Sequence, residues 1–305
     1  MNIKIVDAKY YMPERKVLNS ELEEKFGVEK GYIKRRTGIE ERYYVGSETI
    51  EKMAAKAVRK INDISYVDMI VVATTSSSSL MPGISNYIQK ELGIDSCICI
   101  DILAGCSGFI NAFDIVSTYI QTGRVKKALV VGVDLLSEIV DKSDLGTVAV
   151  LSDGAGAVLV ESSSEEKSYF VNIEAEKDEK DMLVYKANEK LKMNGKEVYK
   201  YAVKNPIENV KKLMDLSDFS LDDIKYIIPH QSNMRIMKSI ANRLGIDFSK
   251  IYVNIDKKGN TFCASIPIAI AEMLEKGLLV AGDKVILLGY GGGLNTGSIL
   301  LEIWK

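Results

Sequence analysis

The 305-residue chain is poor in several residue types: one histidine, His230, one tryptophan, five prolines and four cysteines. A single imidazole, with no Cys-x-x-Cys pair and no Cys/His cluster, argues against a zinc site. Four cysteines spread over this length do not make a disulfide framework. Cys97 and Cys99 alternate along one strand-like run and face the same way, and free thiols fit a reducing cytosol. A basic surplus is also missing: 40 Lys and Arg against 42 Asp and Glu leave a net charge of -2, unlike a nucleic-acid binder. No uncharged apolar run reaches membrane-spanning length, because Asp114 and Glu272 interrupt the two best candidates. The first residues, Met1 to Asp7, alternate like a strand and lack the apolar core of a signal peptide. The expectation is a soluble, cytoplasmic protein without nucleic-acid or membrane partners.

What is present is an ordinary globular balance, 47% hydrophobic and 27% charged, long enough for one large domain or two medium ones. Apolar strand-like runs alternate with amphipathic helical ones, which predicts an α/β fold with mainly buried sheets. Glu48 to Ile61 reads as a helix with Met53, Ala54, Ala57, Val58 and Ile61 on one face, and Met69 to Thr74 as a buried strand. Pro82 to Leu92 has proline at the first helical position and Gly93 beyond its end, and Asn205-Pro206 opens another helix.

The order of elements then repeats. Ile70 to Ala73 leads to a helix ending Leu92-Gly93-Ile94-Asp95, a strand Cys97 to Leu103, a turn, a helix Ser107 to Thr122 and a strand Ala128 to Gly132. In the second half Ile224 to Ile228 leads to a helix ending Leu244-Gly245-Ile246-Asp247. A strand Ile251 to Ile255, a turn, a helix Ala264 to Lys276 and a strand Val285 to Gly289 follow. Two copies of one βαβαβ plan imply a duplicated fold with a pseudo-twofold axis, divided into residues 1–165 and 166–305. Between them Glu161 to Lys192 is rich in charge, which reads as a solvated connector or, more sharply, a lid over a site.

Three strand-to-helix junctions carry reactive groups. Cys106 in Ala-Gly-Cys-Ser-Gly-Phe follows a strand and opens a helix, where free amides and the helix dipole favour thiolate, and Gly105 and Gly108 permit a sharp turn. Cys97, Cys99 and Cys263 read as buried structural cysteines. His230 stands in Ile-Ile-Pro-His-Gln-Ser-Asn at a strand end, where α/β sheets place ligands, and Asn260 in Gly-Asn-Thr-Phe-Cys-Ala-Ser. Taken singly, His230 is as readily a structural histidine and Asn260 a turn residue. A thiol, an imidazole and a carboxamide together suggest acyl-thioester chemistry. Two glycine-rich stretches, Gly289 to Gly293 and Asp153 to Gly156, look like dinucleotide loops but lack the following helix, since Gly297 to Trp304 reads as a strand.

These strings, with Arg36-Thr37-Gly38-Ile39, Ser152-Asp153-Gly154-Ala155-Gly156-Ala157 and Gly291-Gly292-Gly293 in the same order, resemble β-ketoacyl-acyl-carrier-protein synthase III over nearly the whole chain. The resemblance implies a duplicated thiolase-like fold, layered α/β/α/β/α, and a homodimer. It implies a Cys106, His230 and Asn260 triad that condenses an acyl primer with a malonyl thioester, with loss of carbon dioxide and no metal or redox cofactor. The amides of Cys106 and Gly292 would hold the oxyanion, while neutral His230 and Asn260 would stabilise the enolate. Tyr32, Arg36, Thr37, Asn233, Arg235 and Lys200 would meet coenzyme A or acyl carrier protein, with Lys238 and Arg243 completing a basic rim. Met81, crossing the dimer, would line the acyl pocket.

The chain departs from that family where coenzyme A binds. Tyr32 replaces a tryptophan, Leu145 an arginine, and Lys196 a common asparagine, which predicts a carrier-bound primer or a specialised synthase. A cysteine thioester hydrolase would use Cys106 and His230 too, but leaves the other motifs unexplained. An intact triad speaks against a non-catalytic carrier-binding protein.

Overall fold

The computed structural model describes residues 3–77, 81–165, 167–186 and 189–303. Met1, Asn2 and Trp304, which the sequence reading places in terminal strands, lie outside the described residues. Two sheets organise the chain. The first contains β1 (Ile3–Tyr11), β2 (Met69–Ala73), β3 (Ile98–Ile102), β4 (Lys127–Asp134) and β5 (Gly154–Ser162), in the order β1-β5-β4-β2-β3. The second contains β6 (Tyr169–Ala175), β7 (Tyr226–Pro229), β8 (Lys284–Gly291) and β9 (Asn295–Glu302), in the order β7-β8-β9-β6. The pairings correspond: β2 and β4 are parallel as are β7 and β8, and β4 and β5 antiparallel as are β8 and β9. This is the duplicated α/β architecture that the repeat predicts, with the thiolase-like form that the resemblance implies.

Period-two alternation decides what each strand contributes to each layer. Met69, Val71 and Ala73 face inward and meet Phe109, Ile110 and Phe113, while Val285, Leu287 and Ile299 approach from the second sheet. Ile70 and Val72 face outward against Met53, Ala54, Ile84 and Ile88 of the helices Ile50–Val58 and Ile84–Leu92. Ile286, Leu288 and Leu300 pack outward on Val210, Leu213, Ile236 and Ile240 of the helices Asn205–Asp215 and Met234–Leu244. The middle layer is two helices, Gly108–Gln121 and Ser265–Glu275. Both are apolar nearly all round, as burial between two sheets requires. Each begins directly after a turn that carries a candidate reactive residue. Among the described residues no helix is long and apolar enough to cross a membrane.

Four local expectations change. Ile251 to Ile255 is not a strand: Ile251 makes one bridge to Ile227, and a helical turn begins at Ile255. The amides of Asn254 and Ile255 are taken by Gln231 Oε1, at 3.0 and 3.2 Å, so no ladder can continue there. The helix expected from Pro82 starts at Ile84. Its first amides, of Ile84 and Ser85, donate to the Asp101 carboxylate at 2.5 and 2.9 Å, a cap supplied from the next strand. Cys97 and Cys99 are half-buried rather than buried, because β3 is the edge of its sheet, and their sulfurs lie 3.6 Å apart. Finally, the described residues of 161–192, though largely exposed or half-buried, are more than a connector. They hold the end of β5, all of β6 and a short strand Leu183–Val184 that pairs with Lys192–Met193.

Asp101→Ala should leave the start of Ile84–Leu92 uncapped and cost about 1–2 kcal/mol of stability. Thermal unfolding should register a lower midpoint, and an unchanged midpoint would remove Asp101 as the cap.

Candidate active site

Cys106 sits in a single 3-10 turn, Gly105–Ser107, between β3 and the central helix Gly108–Gln121. The turn touches the end of β8 backbone to backbone. Gly105 has φ 56°, and a β-carbon on it would lie 2.6 Å from the Gly292 carbonyl oxygen. A β-carbon on Gly291 would lie 2.8 Å from Cys106 Cβ and 2.9 Å from its sulfur. Only glycine lets the two segments approach so closely. The consequence is a pair of backbone amides, of Gly292 and of Cys106 itself, directed at the Cys106 sulfur.

His230 follows the last residue of β7, its amide bonded to the Leu288 carbonyl at 2.7 Å. Its Nδ1 lies 2.7 Å from Ser265 Oγ, which itself lies 2.8 Å from the Phe262 carbonyl. A carbonyl has no proton to give, so the one hydroxyl proton of Ser265 goes to Phe262. The Ser265 oxygen then accepts from Nδ1–H, which leaves Nε2 unprotonated at rest. Asn260 is held by its backbone, whose amide donates to Val150 and whose carbonyl accepts from Ser152, at 3.0 and 2.8 Å. Its Oδ1 accepts from Phe262 N at 3.0 Å, so the side chain turns its Nδ2 donor the other way.

Burial controls the protonation states. It lowers the His230 value to about 3, so the ring is neutral throughout the physiological range. It also pushes the Cys106 thiol above its ordinary value, Asp134 adds to this, and the two amides offset it in part. The thiolate expected from the helix dipole is therefore not the resting form: desolvation of a buried sulfur outweighs one helical turn of partial charge.

Cys106, His230 and Asn260 line one small chamber of about 50 Å3, walled by Phe262, Tyr290 and Gly292. On one side a channel of about 550 Å3 runs to Asn260, lined by Tyr32, Arg36, Thr37, Asn233 and Arg235, with Leu145 and Lys196. On the other side a cavity of about 570 Å3 reaches Cys106 past Thr74, Thr75, Leu103 and Asn295. Leu183 and Met193 wall the chamber and Tyr185 and Leu191 the second cavity, so the charged stretch supplies wall residues. Asn233 also caps the helix Met234–Leu244 through Arg235 N at 2.9 Å and donates to the Arg36 carbonyl at 3.3 Å.

Several predicted residues lie elsewhere. Met81 is 89% exposed and lines none of these spaces. Lys200 pairs with Glu197 at 2.6 Å, Lys238 lies over the Phe248 ring, and Arg243 bonds the Val203 carbonyl. Gly291, Ser265, Tyr290 and Leu183 belong to the site without having been expected. Gly291 stood in a quoted motif, but its need for close approach is visible only once both halves are in place. Among the described residues no group of three or more His, Cys, Asp or Glu is arranged to hold a metal ion.

Gly291→Ala should abolish acylation of Cys106 in a folded protein, read by intact mass and circular dichroism. Normal acylation would contradict the backbone contact. The lowered His230 value also has a sign: protonation favours the unfolded chain, where histidine titrates near 6.5. Stability owed to neutral His230 is complete above that pH and lost as pH falls toward 3. The imidazole signal, unique in this chain, should show no titration between pH 5 and 8.

Two family models match the chain: 3-oxoacyl-[acyl-carrier-protein] synthase III over residues 100–179 and the C-terminal part of the same family over residues 214–303. The β-ketoacyl-[acyl-carrier-protein] synthase III of Clostridium acetobutylicum is 38% identical, covering 100% of this chain and 99% of that protein. The Pasteurella multocida protein of the same name is 35% identical over 99% of this chain and 100% of its own length. Among solved structures, 3-oxoacyl-[acyl-carrier-protein] synthase III of Aquifex aeolicus superposes with a TM-score of 0.94 at 35% identity, covering 98% of this chain and 99% of the other. The priming β-ketosynthase of the R1128 polyketide pathway superposes with a TM-score of 0.91 at 26% identity, covering 99% and 96%.

Proposed function

This chain belongs to the 3-oxoacyl-acyl-carrier-protein synthase III family, and on that premise we propose that it condenses an acyl primer with malonyl-acyl carrier protein, losing carbon dioxide. The product is the 3-oxoacyl thioester that initiates fatty-acid-type chain synthesis. The observation that carries this reading is the meeting of Cys106, His230 and Asn260 in one buried chamber, which the channel of about 550 Å3 reaches at Asn260.

In the first half-reaction the Cys106 sulfur attacks the primer carbonyl while its proton passes to His230 Nε2. The carbonyl oxygen gains charge opposite the Cys106 and Gly292 amides. The carbon–sulfur bond of the primer then breaks, and the departing thiolate takes the proton. In the second, the malonyl thioester oxygen accepts hydrogen bonds from Asn260 Nδ2 and from His230. Loss of carbon dioxide leaves an enolate, whose carbon attacks the acyl-cysteine and expels the Cys106 thiolate; a proton from solvent restores the thiol. The two halves place opposite demands on Nε2, first as acceptor and then as donor. The Ser265 hydroxyl meets both, accepting from Nδ1–H in one tautomer or turning to donate to unprotonated Nδ1 in the other. The scheme calls on no metal or redox cofactor.

The channel mouth suits a carrier-bound primer better than coenzyme A. Arg36 lies over the Tyr32 ring, 5.3 Å from its centroid, and the apolar Leu145 offers no cation to close on an adenine. Arg36, Lys196 and Arg235 supply positive charge for a phosphopantetheine phosphate and an acidic carrier. The same departures support a specialised synthase of secondary-metabolite or cell-surface biosynthesis as the second reading. A homodimer is supported by the half-buried apolar edge strand Ile98–Ile102, next to exposed Leu103. Its partner copy would bring Met81 to the acyl cavity. Four free cysteines support a cytoplasmic setting.

Incubation with acyl-carrier and malonyl-carrier substrates should yield carbon dioxide and 3-oxoacyl product one to one. Free acid instead would make the protein a hydrolase, and no turnover would favour a binding role. Asn260→Ala should slow malonyl decarboxylation by about 10²- to 10³-fold, the usual loss for one such donor. Acylation by matched acyl-CoA and acyl-carrier substrates should favour the carrier; equal or faster use of acyl-CoA would overturn that preference.

A further inference from the structure

Asp134, the last residue of β4, is fully buried and pairs with no cation among the described residues. Its Oδ1 accepts from Thr75 N at 2.7 Å, Ser76 Oγ at 2.9 Å and Thr74 Oγ1 at 3.3 Å, all just past the end of β2 in the first half. Its Oδ2 accepts from Cys263 N at 2.9 Å, in the Phe262–Ala264 turn of the second half. A buried carboxylate is costly, and four dipoles in place of a counter-ion hold it only if each stays where it is.

The turn that Asp134 grips carries one of the three reactive groups and contacts the segments that hold the other two. Asn260 begins it, with Oδ1 on the Phe262 amide. Ser265 ends it and holds His230 Nδ1 at 2.7 Å. Between them the Cys263 thiol donates to the Gly105 carbonyl at 2.9 Å, the residue before Cys106. The strand behind leaves no room for adjustment: a β-carbon on Gly132 would lie 2.2 Å from the Cys263 carbonyl oxygen. Thr74 and Thr75 also line the cavity beside Cys106.

We propose that Asp134 is the positioning residue of this site, clamping the Asn260–Ser265 turn to the first half and, through the Cys263 thiol, setting the Gly105–Cys106 turn. It touches no substrate. Its negative charge adds to the burial that keeps the Cys106 sulfur protonated. The inference deepens the proposed condensation, and its test has one arm that needs no acyl substrate.

Asp134→Asn keeps the shape but turns an amide donor toward the Cys263 N–H or toward the Thr75 N–H, so one contact of the clamp must break. Removing the charge should move the pH midpoint of Cys106 alkylation by iodoacetamide downward, which a merely structural role would not do. The same variant should lower the turnover of condensation by about 10- to 100-fold, with the Michaelis constant of the primer thioester within about threefold, as for a small misplacement of reacting groups. Cys263→Ala, which keeps the carboxylate, should lower turnover while leaving the alkylation midpoint in place. An unshifted midpoint in a folded Asp134→Asn protein would overturn the proposal. If that variant does not fold, wild-type turnover in Cys263→Ala would do the same. Alkylation behaving as expected in a protein without condensing activity would instead refute the proposed function alone.

Discussion

The structure depends on one place where two backbones touch. The turn carrying Cys106 meets the end of the strand Lys284–Gly291 with no side chain between them, at Gly105 on one side and Gly291 and Gly292 on the other. The Gly292 and Cys106 amides there offset part of the cost of burying the sulfur. Both turns open long apolar helices of the middle layer, and these are gripped by two sheets. The cost of ordering such tight segments is met by packing remote from the chemistry, as is usual where a site needs an exact placement.

Duplication explains why the site lies at the middle of the molecule. Each half ends a buried strand in a turn and begins a central helix, and the pseudo-twofold brings the two turns face to face. One half supplies the Cys106 thiol; the other supplies the imidazole and the carboxamide. The halves differ at matching positions: where the first has the edge strand Ile98–Ile102, the second has a single bridge at Ile251.

The meeting of Cys106, His230 and Asn260 and the repeat were legible because they rest on local order, strand, small residues, reactive residue, helix. The resting state of Cys106 was not. A helix N-terminus can be read from Gly-Cys-Ser-Gly, but the depth of the sulfur, and the Asp134 carboxylate 28 positions later, depend on tertiary placement. Ile251 to Ile255 misled because β-branched residues look like a strand whether or not a partner edge is free; here Gln231, a side chain, takes the amides first. The charged stretch 161–192 misled in the opposite sense, since Leu183, Tyr185 and Leu191 are spaced among lysines and glutamates that face solvent. Met81 was placed by analogy with an assembly, and one chain alone leaves it 89% exposed.

The central claim is that Cys106 carries the primer as a covalent thioester between two half-reactions. Intact mass of the protein after exposure to an acyl-carrier thioester, followed by a chase with malonyl-acyl carrier protein, tests it most directly. The expected result is an acyl adduct at Cys106, absent from Cys106→Ala, that disappears in the chase as 3-oxoacyl product forms. Product forming from Cys106→Ala at the wild-type rate, or an adduct that the malonyl substrate does not consume, would contradict it.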